Sequence, residues 1–364
     1  MNYLIAMSGG VDSSVALHLT KKNIGADDSV IGATLALSDK DSPEFANDER
    51  NIADARAVCE NQGTPHTSLY AYPEFKKAVI DYFTDSYLAG KTPNPCVICN
   101  REIKFGLLYD YALSSGCECI VTGHYARRAE YGGYTYIRRA ADLSKDQSYV
   151  LAMLSREQIA AARFPLGEYT KAQVREIAVQ HGFANAHRHD SQDICFIPDG
   201  DYTGFMKKLG IALPSEGNYL DEGGRVIGKH KGHVNYTIGQ RKGLGISLGK
   251  HAFVLSKDAA KNEVVLGDED GLFKKNVYVT GLNLPSDPHA LDGEVIVAAK
   301  IRYSHKPSRA VFMRTGEKEG FLTFDEPQRA PSAGQFAVIY TPDAADGDEG
   351  VSSLALVLGG GEII

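Results

Sequence analysis

With 364 residues, 43% of them hydrophobic, and a formal net charge of −7, the chain has room for two or three domains, each with its own core, and is not a small stapled scaffold. The acidic balance argues against a protein that coats nucleic acid indiscriminately, though local basic patches can still read one RNA. Six cysteines are too few for a disulfide framework in a chain this long, no apolar run approaches the ~18 residues that span a bilayer, and no basic leader precedes residues 3–7, so a reduced, cytoplasmic protein without a membrane partner is expected.

In chain order, residues 3–7 predict a strand, 13–22 a helix, 30–37 a second strand and 49–62 a second helix. Phe75, Val79, Tyr82 and Phe83 recur at helical spacing within 75–88, residues 103–114 predict a further helix, and 119–122 a strand. Thr170 and Gln173 have capping-box spacing ahead of Val174, Ile177 and Ala178, with Gly182 as the stop. This alternation predicts an α/β unit over 1–200, a Rossmann-like parallel sheet with helices on both faces. Glycines and short β-rich runs at 252–256 and 263–266 then predict a small central domain over 201–274. From about Val277 the runs 293–303, 310–314, 321–324, 336–340 and 353–358 alternate with turn residues, which predicts a C-terminal antiparallel β-barrel over 275–364. The acidic segment 343–349 reads as a solvated loop, and no internal repeat is present.

Ser8-Gly9-Gly10-Val11-Asp12-Ser13-Ser14 follows the first strand and opens the first helix, where backbone N–H groups and the helix dipole favour bound phosphate. It lacks the Gly-Lys-Ser/Thr of the Walker loop and the spacing of a dinucleotide fingerprint, so ordinary ATPase and dehydrogenase chemistry lose support. The bland reading is a glycine-rich turn with Ser13 capping a helix. SGGVDSS resembles the pyrophosphate-binding loop of the ATP pyrophosphatase superfamily, which implies cleavage of ATP to AMP and pyrophosphate while a substrate oxygen is adenylated. Asp12 would then hold Mg²⁺ on the pyrophosphate, and Ser8, Ser13 and Ser14 would hydrogen-bond its oxygens.

Residues 92–100, TPNPCVICN, read as a loop between helices, stiffened by Pro93 and Pro95 and presenting Cys96 and Cys99. A third thiol, Cys195, sits in DSQDICFI, and in an α/β sheet both segments could meet near the strand C-termini. Taken singly, any of these cysteines could be a small buried hydrophobe. The glycine loop, TPNPCVICNREIKF and DSQDICFI together resemble the tRNA-specific 2-thiouridylase (MnmA) family. So do Gly123-His124-Tyr125-Ala126-Arg127, the stretch from His230-Lys231-Gly232 through TIGQRKGLG, and the terminal LGGGEII, so that the likeness runs in order along nearly the whole chain.

The resemblance implies ATP-dependent 2-thiolation of uridine-34 in tRNAs of the Lys, Glu and Gln type, by adenylation of uracil O2 and delivery of sulfur from a persulfide on Cys195. Cys99 would be the paired nucleophile, leaving a Cys99–Cys195 disulfide for a reductant to reset. ATP contacts are implied for Ala6, Met7, Ser8, Gly9, Gly10, Val11, Asp12, Ser13, Leu35 and Gly123. Contacts to the tRNA are implied for Asn94, Pro95, Cys96, His124, Lys145, Asp146, Gln147, Arg302, Tyr303 and Gln335, and a cysteine desulfurase or sulfur-relay protein is implied as donor. Some members carry Asp where this chain has Cys96, so an acid-base role for that Asp does not transfer. Cys96, Cys99 and Cys195 could instead hold a [4Fe-4S] cluster with an open iron, whereas zinc lacks a fourth ligand. Basic residues cluster at Arg127-Arg128, at Arg138, Arg139 and Lys145, at Lys229, Lys231, Arg241 and Lys242, and at Lys300, Arg302, Lys306 and Arg309; together they would suit an RNA embraced by all three domains. Two rivals stand: another adenylating synthetase of the superfamily, which leaves the thiols idle, and a non-catalytic iron-sulfur RNA-binding protein.

Overall fold

The computed structural model describes residues 1–183, 185–186, 194–247, 249 and 251–364. The first apolar run becomes β1 (Asn2–Ala6), whose Leu4 and Ile5 are wholly buried on opposite faces, as a central strand of a parallel sheet requires. It is joined by β2 (Ser29–Ala36), β3 (His66–Tyr70) and β4 (Cys119–Val121). The hairpin β5 (Arg127–Tyr131) and β6 (Tyr134–Arg138) intervenes before β7 (Ala162–Arg163). The sheet order is β3-β2-β1-β4-β7 with every neighbouring pair parallel. From β1 the chain turns one way to β2 and later the other way to β4, so the strand order reverses beside β1, where open α/β sheets bind ligands. Helices cover both faces. Val15, Leu17 and Val174 pack with Ile5 and Val121 on one side, and Phe105, Leu108 and Tyr149 with Leu4 and Ile120 on the other.

A four-stranded sheet follows, built from β8 (Gly217–Leu220), β9 (Val226–His230), β10 (Phe253–Asp258) and β11 (Glu263–Gly267) in the order β10-β11-β8-β9, closed over Tyr219, Tyr236, Val254 and Val264. The last strands are β12 (Phe273–Asn283), β13 (Glu294–Lys300), β14 (Ser308–Gly316), β15 (Glu319–Arg329), β16 (Phe336–Tyr340) and β17 (Val357–Ile363). They form the closed antiparallel barrel expected, in the order β12-β15-β14-β13-β16-β17 with β17 returning to β12. One local expectation fails here: the run at 353–358 is a strand only from Val357. The acidic segment is exposed from Asp346 to Glu349, as expected of a solvated loop, with the short helices Pro342–Ala345 and Glu349–Ser352 at its two ends, where Arg139 donates to Ala344 O and Ser352 O.

All five residues of β16 are buried. Alternate side chains point to opposite faces of a strand. Here Ala337 and Ile339 fill the barrel interior, while Phe336, Val338 and Tyr340 join the core that contains Tyr149, Phe105 and Leu4. The barrel and the parallel-sheet unit therefore share one hydrophobic core.

Candidate functional site

At the C-terminal end of β1 the chain passes through Ser8, Gly9 and Gly10 into the helix Val11–Asn23. Gly9 has φ +70, and a Cβ there would lie 2.7 Å from Asn51 O, so only glycine fits. Gly123, at the end of β4, faces the same turn: a Cβ would stand 2.9 Å from the carbonyl carbon of Asp12 and 3.0 Å from Ser13 N. Two strand ends far apart in sequence thus close on one point, and Leu35 is half-buried near the end of β2, the strand next to β1. Ser13 does not cap the helix N-terminus; its Oγ accepts from Ser8 N at 3.2 Å and donates to Gly10 O at 3.0 Å, and Gly10 itself is the uncapped N-cap. Asn185 donates to Gly9 O and to Ser14 Oγ, both at 2.9 Å, tying the loop from outside.

The Asp12 carboxylate receives the Tyr125 hydroxyl at 3.0 Å and the Lys171 ammonium at 2.8 and 3.0 Å. The magnesium role expected for Asp12 thus meets a carboxylate already held by a cation. Sequence reasoning missed Lys171, Tyr125 and Asn185. For Lys171 a signal existed: it opens the helix Lys171–Gln180, directly after its Thr170–Gln173 capping box, where the helix dipole disfavours a cation.

The paired cysteines are not in a loop. Pro95–Ile98 is already α-helical, Cys99–Leu107 continues in π-helical geometry and Leu108–Ser114 completes the run. Pro95 was misleading as a breaker because proline is tolerated at the first helical position, where its missing N–H is not needed. Cys96 and Cys99 fall three residues apart, on one face. Cys96 is exposed and Cys99 buried, and Asn100 pins the helix by donating to Val150 O at 3.2 Å. Cys195 is exposed as well; the next residue, Phe196, is anchored among Phe75, Phe83 and Phe205 at ring separations of 5.3 to 5.6 Å. The expected DSQD stretch at 190–193 lies outside the described residues.

Burial pushes the Cys99 thiol up to about 12, the Cys195 and Cys96 charges add to the rise, and Lys104 opposes it. Burial likewise raises Cys195, with Cys96 contributing and Lys104 again opposing. The three thiols thus lie within one another's field, under a common lysine. The depressed thiol pKa expected of a reactive pair is absent in this state. Among the described residues, these cysteines included, no group of three His, Cys, Asp or Glu side chains is arranged to hold a metal ion.

Of the residues expected to face RNA, Tyr303 is 44% exposed, Cys96 is exposed, and Asn94, Lys145 and Gln147 are half-buried. Others are occupied internally. Asp146 is 5% exposed and its carboxylate takes Arg139 Nε at 3.1 Å, the backbone N–H of Ala140 and Ser148, and the Ser148 hydroxyl. The Gln335 amide donates to Thr92 O at 2.8 Å and Pro93 O at 3.4 Å, clamping the approach to the cysteine helix, whose Pro95 is buried. Arg302 donates to Ala330 O, Ser332 Oγ and Ile238 O, joining the barrel to the central sheet. His124 is buried beside Phe105 and Phe164, paired with Thr122 at 2.8 Å, and burial holds its pKa well below the usual value, so it is neutral. The expected basic surface divides: Arg127 is buried, donating to Arg139 O and pairing with Glu168, and Arg128 is half-buried and donates to Ala160 O, whereas Lys229, Lys231, Arg241, Lys242, Lys306 and Arg309 are exposed. The stretch TIGQRKGLG runs along the central sheet and borders a cavity of ≈ 430 Å³ between Arg241 and Ala252, apart from the thiols.

Comparison with known proteins places these features. Residues 1–199 match the sequence model of the tRNA methyl transferase HUP domain, 205–268 that of the tRNA methyl transferase PRC-barrel domain, and 274–363 that of the aminomethyltransferase beta-barrel domain. The chain is 44% identical to the tRNA-specific 2-thiouridylase MnmA of Clostridioides difficile over 99% of its own length and 97% of the relative's. It is 43% identical to tRNA-specific 2-thiouridylase MnmA 2 of Clostridium botulinum (93% and 95% covered) and 42% identical to the MnmA of Clostridium acetobutylicum (99% and 98%). On the strength of these matches along its full length, the chain belongs to the tRNA-specific 2-thiouridylase family.

Proposed function

We propose that the protein is a tRNA-uridine 2-sulfurtransferase that uses ATP to replace O2 of uridine-34 with sulfur, in tRNAs of the Lys, Glu and Gln type. The observation that carries this reading is the match along the full chain to tRNA-specific 2-thiouridylases, and the packing of Phe196, next to Cys195, on the core that contains Cys99 supports a pairing of these two thiols, remote in sequence. In the reaction, uracil O2 attacks the α-phosphate of ATP and pyrophosphate leaves. Ser8 to Ser13, with Leu35 and Gly123, would cradle the nucleotide at the helix N-terminus, and Asp12 would hold Mg²⁺ once ATP competes for its lysine. The terminal sulfur of a Cys195 persulfide, charged by a cysteine desulfurase or relay protein, then attacks C2, and AMP departs. The Cys99 thiolate attacks Sγ of Cys195, so the S–S bond breaks, the sulfur stays on C2 and a Cys99–Cys195 disulfide remains for a cellular thiol to reduce.

In this reading residues 1–200 carry the catalysis, while 201–274 and 275–364 hold the RNA. Asn94, Pro95, Cys96, His124, Lys145, Gln147, Arg302, Tyr303 and Gln335 would act on the RNA either by contact or by fixing the cysteine helix. The iron-sulfur version draws no support from the arrangement of the three thiols among the described residues. An adenylating synthetase of small molecules would leave the thiol cluster without a task. The test incubates protein with unmodified tRNA, ATP, Mg²⁺ and a persulfide donor, then measures 2-thiouridine in the digested RNA by mass spectrometry. Thiouridine that requires ATP, Cys99 and Cys195 is expected, with Cys99→Ser and Cys195→Ser giving none. Wild-type protein that binds tRNA and yields pyrophosphate but no thiouridine would overturn the reading.

A further inference from the structure

Lys300 closes β13 and is 5% exposed, yet among the described residues its ammonium has no hydrogen-bond or ion-pair partner. It lies 5.6 Å from the ring centroid of Tyr149 and 5.6 Å from that of Tyr303, and these rings stand edge-on to each other at 6.0 Å. Asp146 is the carboxylate that acts on it, but Arg139 already occupies that group. Two aromatic faces offset part of the cost of enclosing a cation, and the ammonium at the tip keeps contact with solvent while its stem is buried. Burial accordingly holds the ammonium down to about 8.

The position of this cation matters. Tyr149 lies in one turn of helix, Ser148–Leu151, that packs against Pro95–Ile98, which carries Cys96. Tyr149 OH donates to Phe336 O at 2.8 Å, which fixes that ring, whereas Tyr303 is 44% exposed and lies close enough to Cys96 to feel its charge. The uncompensated charge therefore lies just behind an exposed tyrosine at the rim of the thiol site.

We infer that Lys300 is an RNA-binding residue, the counter-ion for one backbone phosphate of the anticodon loop next to the target uridine. This rests on the tRNA reading above. Tyr303 would turn aside or stack on a splayed base as the phosphate reaches the ammonium, whose anion arrives with the substrate. A lysine that merely supports the barrel would behave oppositely when replaced by an apolar side chain of similar length.

The experiment uses full-length protein and an unmodified anticodon stem-loop, native or with a single methylphosphonate at each loop position in turn, and measures Kd over a series of salt concentrations. For wild-type protein one neutralised phosphate is expected to weaken binding roughly tenfold, the scale of a charge-assisted hydrogen bond. Lys300→Met is expected to weaken native RNA by a similar factor, to lower the salt slope by about 0.7, and to be insensitive to neutralisation at that one position. Lys300→Arg should restore the slope. The thermal midpoint of Lys300→Met without RNA should equal or exceed that of wild type, because a largely enclosed cation with no hydrogen-bonded anion has been replaced by an apolar side chain of similar length. The inference fails if no single loop phosphate matters to wild type, if Lys300→Met keeps wild-type affinity and slope, or if it loses thiolation alone with binding unchanged. Wild-type protein that binds no native stem-loop would instead overturn the tRNA reading itself.

Discussion

A thiol pushed up to about 12 is almost wholly protonated at neutral pH, so Cys99 in this state is held in reserve while Cys96 and Cys195 meet solvent. Iodoacetamide at pH 7 should therefore modify Cys96 and Cys195 well before Cys99, with Cys99 labelling rising steeply above pH 9, as peptide mass spectrometry would show; early labelling of Cys99 would contradict its burial. The linkage has a definite sign. Burial favours the neutral thiol in the folded chain, so its contribution to stability is complete below the ordinary thiol value of 9.0 and is lost as pH rises from there towards about 12. A second residue, Asp146, has its side chain buried and bonded within the protein. Asp146→Ala would strand the buried Arg139 guanidinium and should cost about 3 kcal/mol in urea unfolding. Activity recovered at low temperature would show that Asp146 works through folding. These assignments explain what the sequence could disclose at this scale. Gly9 was legible because a turn into a helix after a strand calls for glycine, and Gly123 came only through the family resemblance, its close approach to Asp12 and Ser13 being a tertiary fact, whereas Asp146, Arg302 and Gln335 look like surface polar groups until their buried partners are seen.

Among the elements, the helix Lys171–Gln180 was readable from its capping box, which forms with both hydrogen bonds present. It carries Lys171 to Asp12, so its N-terminus is tied to the glycine loop proposed to hold ATP. Thr170→Ala should cost about 1 kcal/mol of stability and weaken ATP binding together, checked by unfolding and by ATP titration; a loss of stability with unchanged ATP affinity would separate the helix from the site. Strand β3 and the β5–β6 hairpin escaped notice because their residues are mostly half-buried or exposed and lack a continuous apolar run. The cysteine helix escaped for a different reason. Two prolines within three residues signal a loop, and only the position of Pro95 at the helix start reverses that signal.

For the whole molecule, the α/β sheet, central sheet and barrel were legible from runs and turns, but their joining was not, because burial of both faces of β16 is a tertiary fact. Core continuity predicts one cooperative thermal transition for the parallel-sheet unit and barrel together, and calorimetry resolving two independent transitions for them would contradict it. Removing residues 274–364 would uncover Tyr149 and its neighbours, and the shortened chain should aggregate rather than form thiouridine, as light scattering and the thiolation assay would report.

The same shared face has an evolutionary consequence. Phe336, Val338 and Tyr340 meet side chains encoded two hundred residues or so earlier, with the Ser148 hydroxyl 3.2 Å from the Tyr340 hydroxyl. The barrel cannot drift as a detachable module: substitutions on either side must be matched across the seam. A chimaera that borrows its barrel from a relative should regain full stability only when the residues facing β16 are borrowed with it.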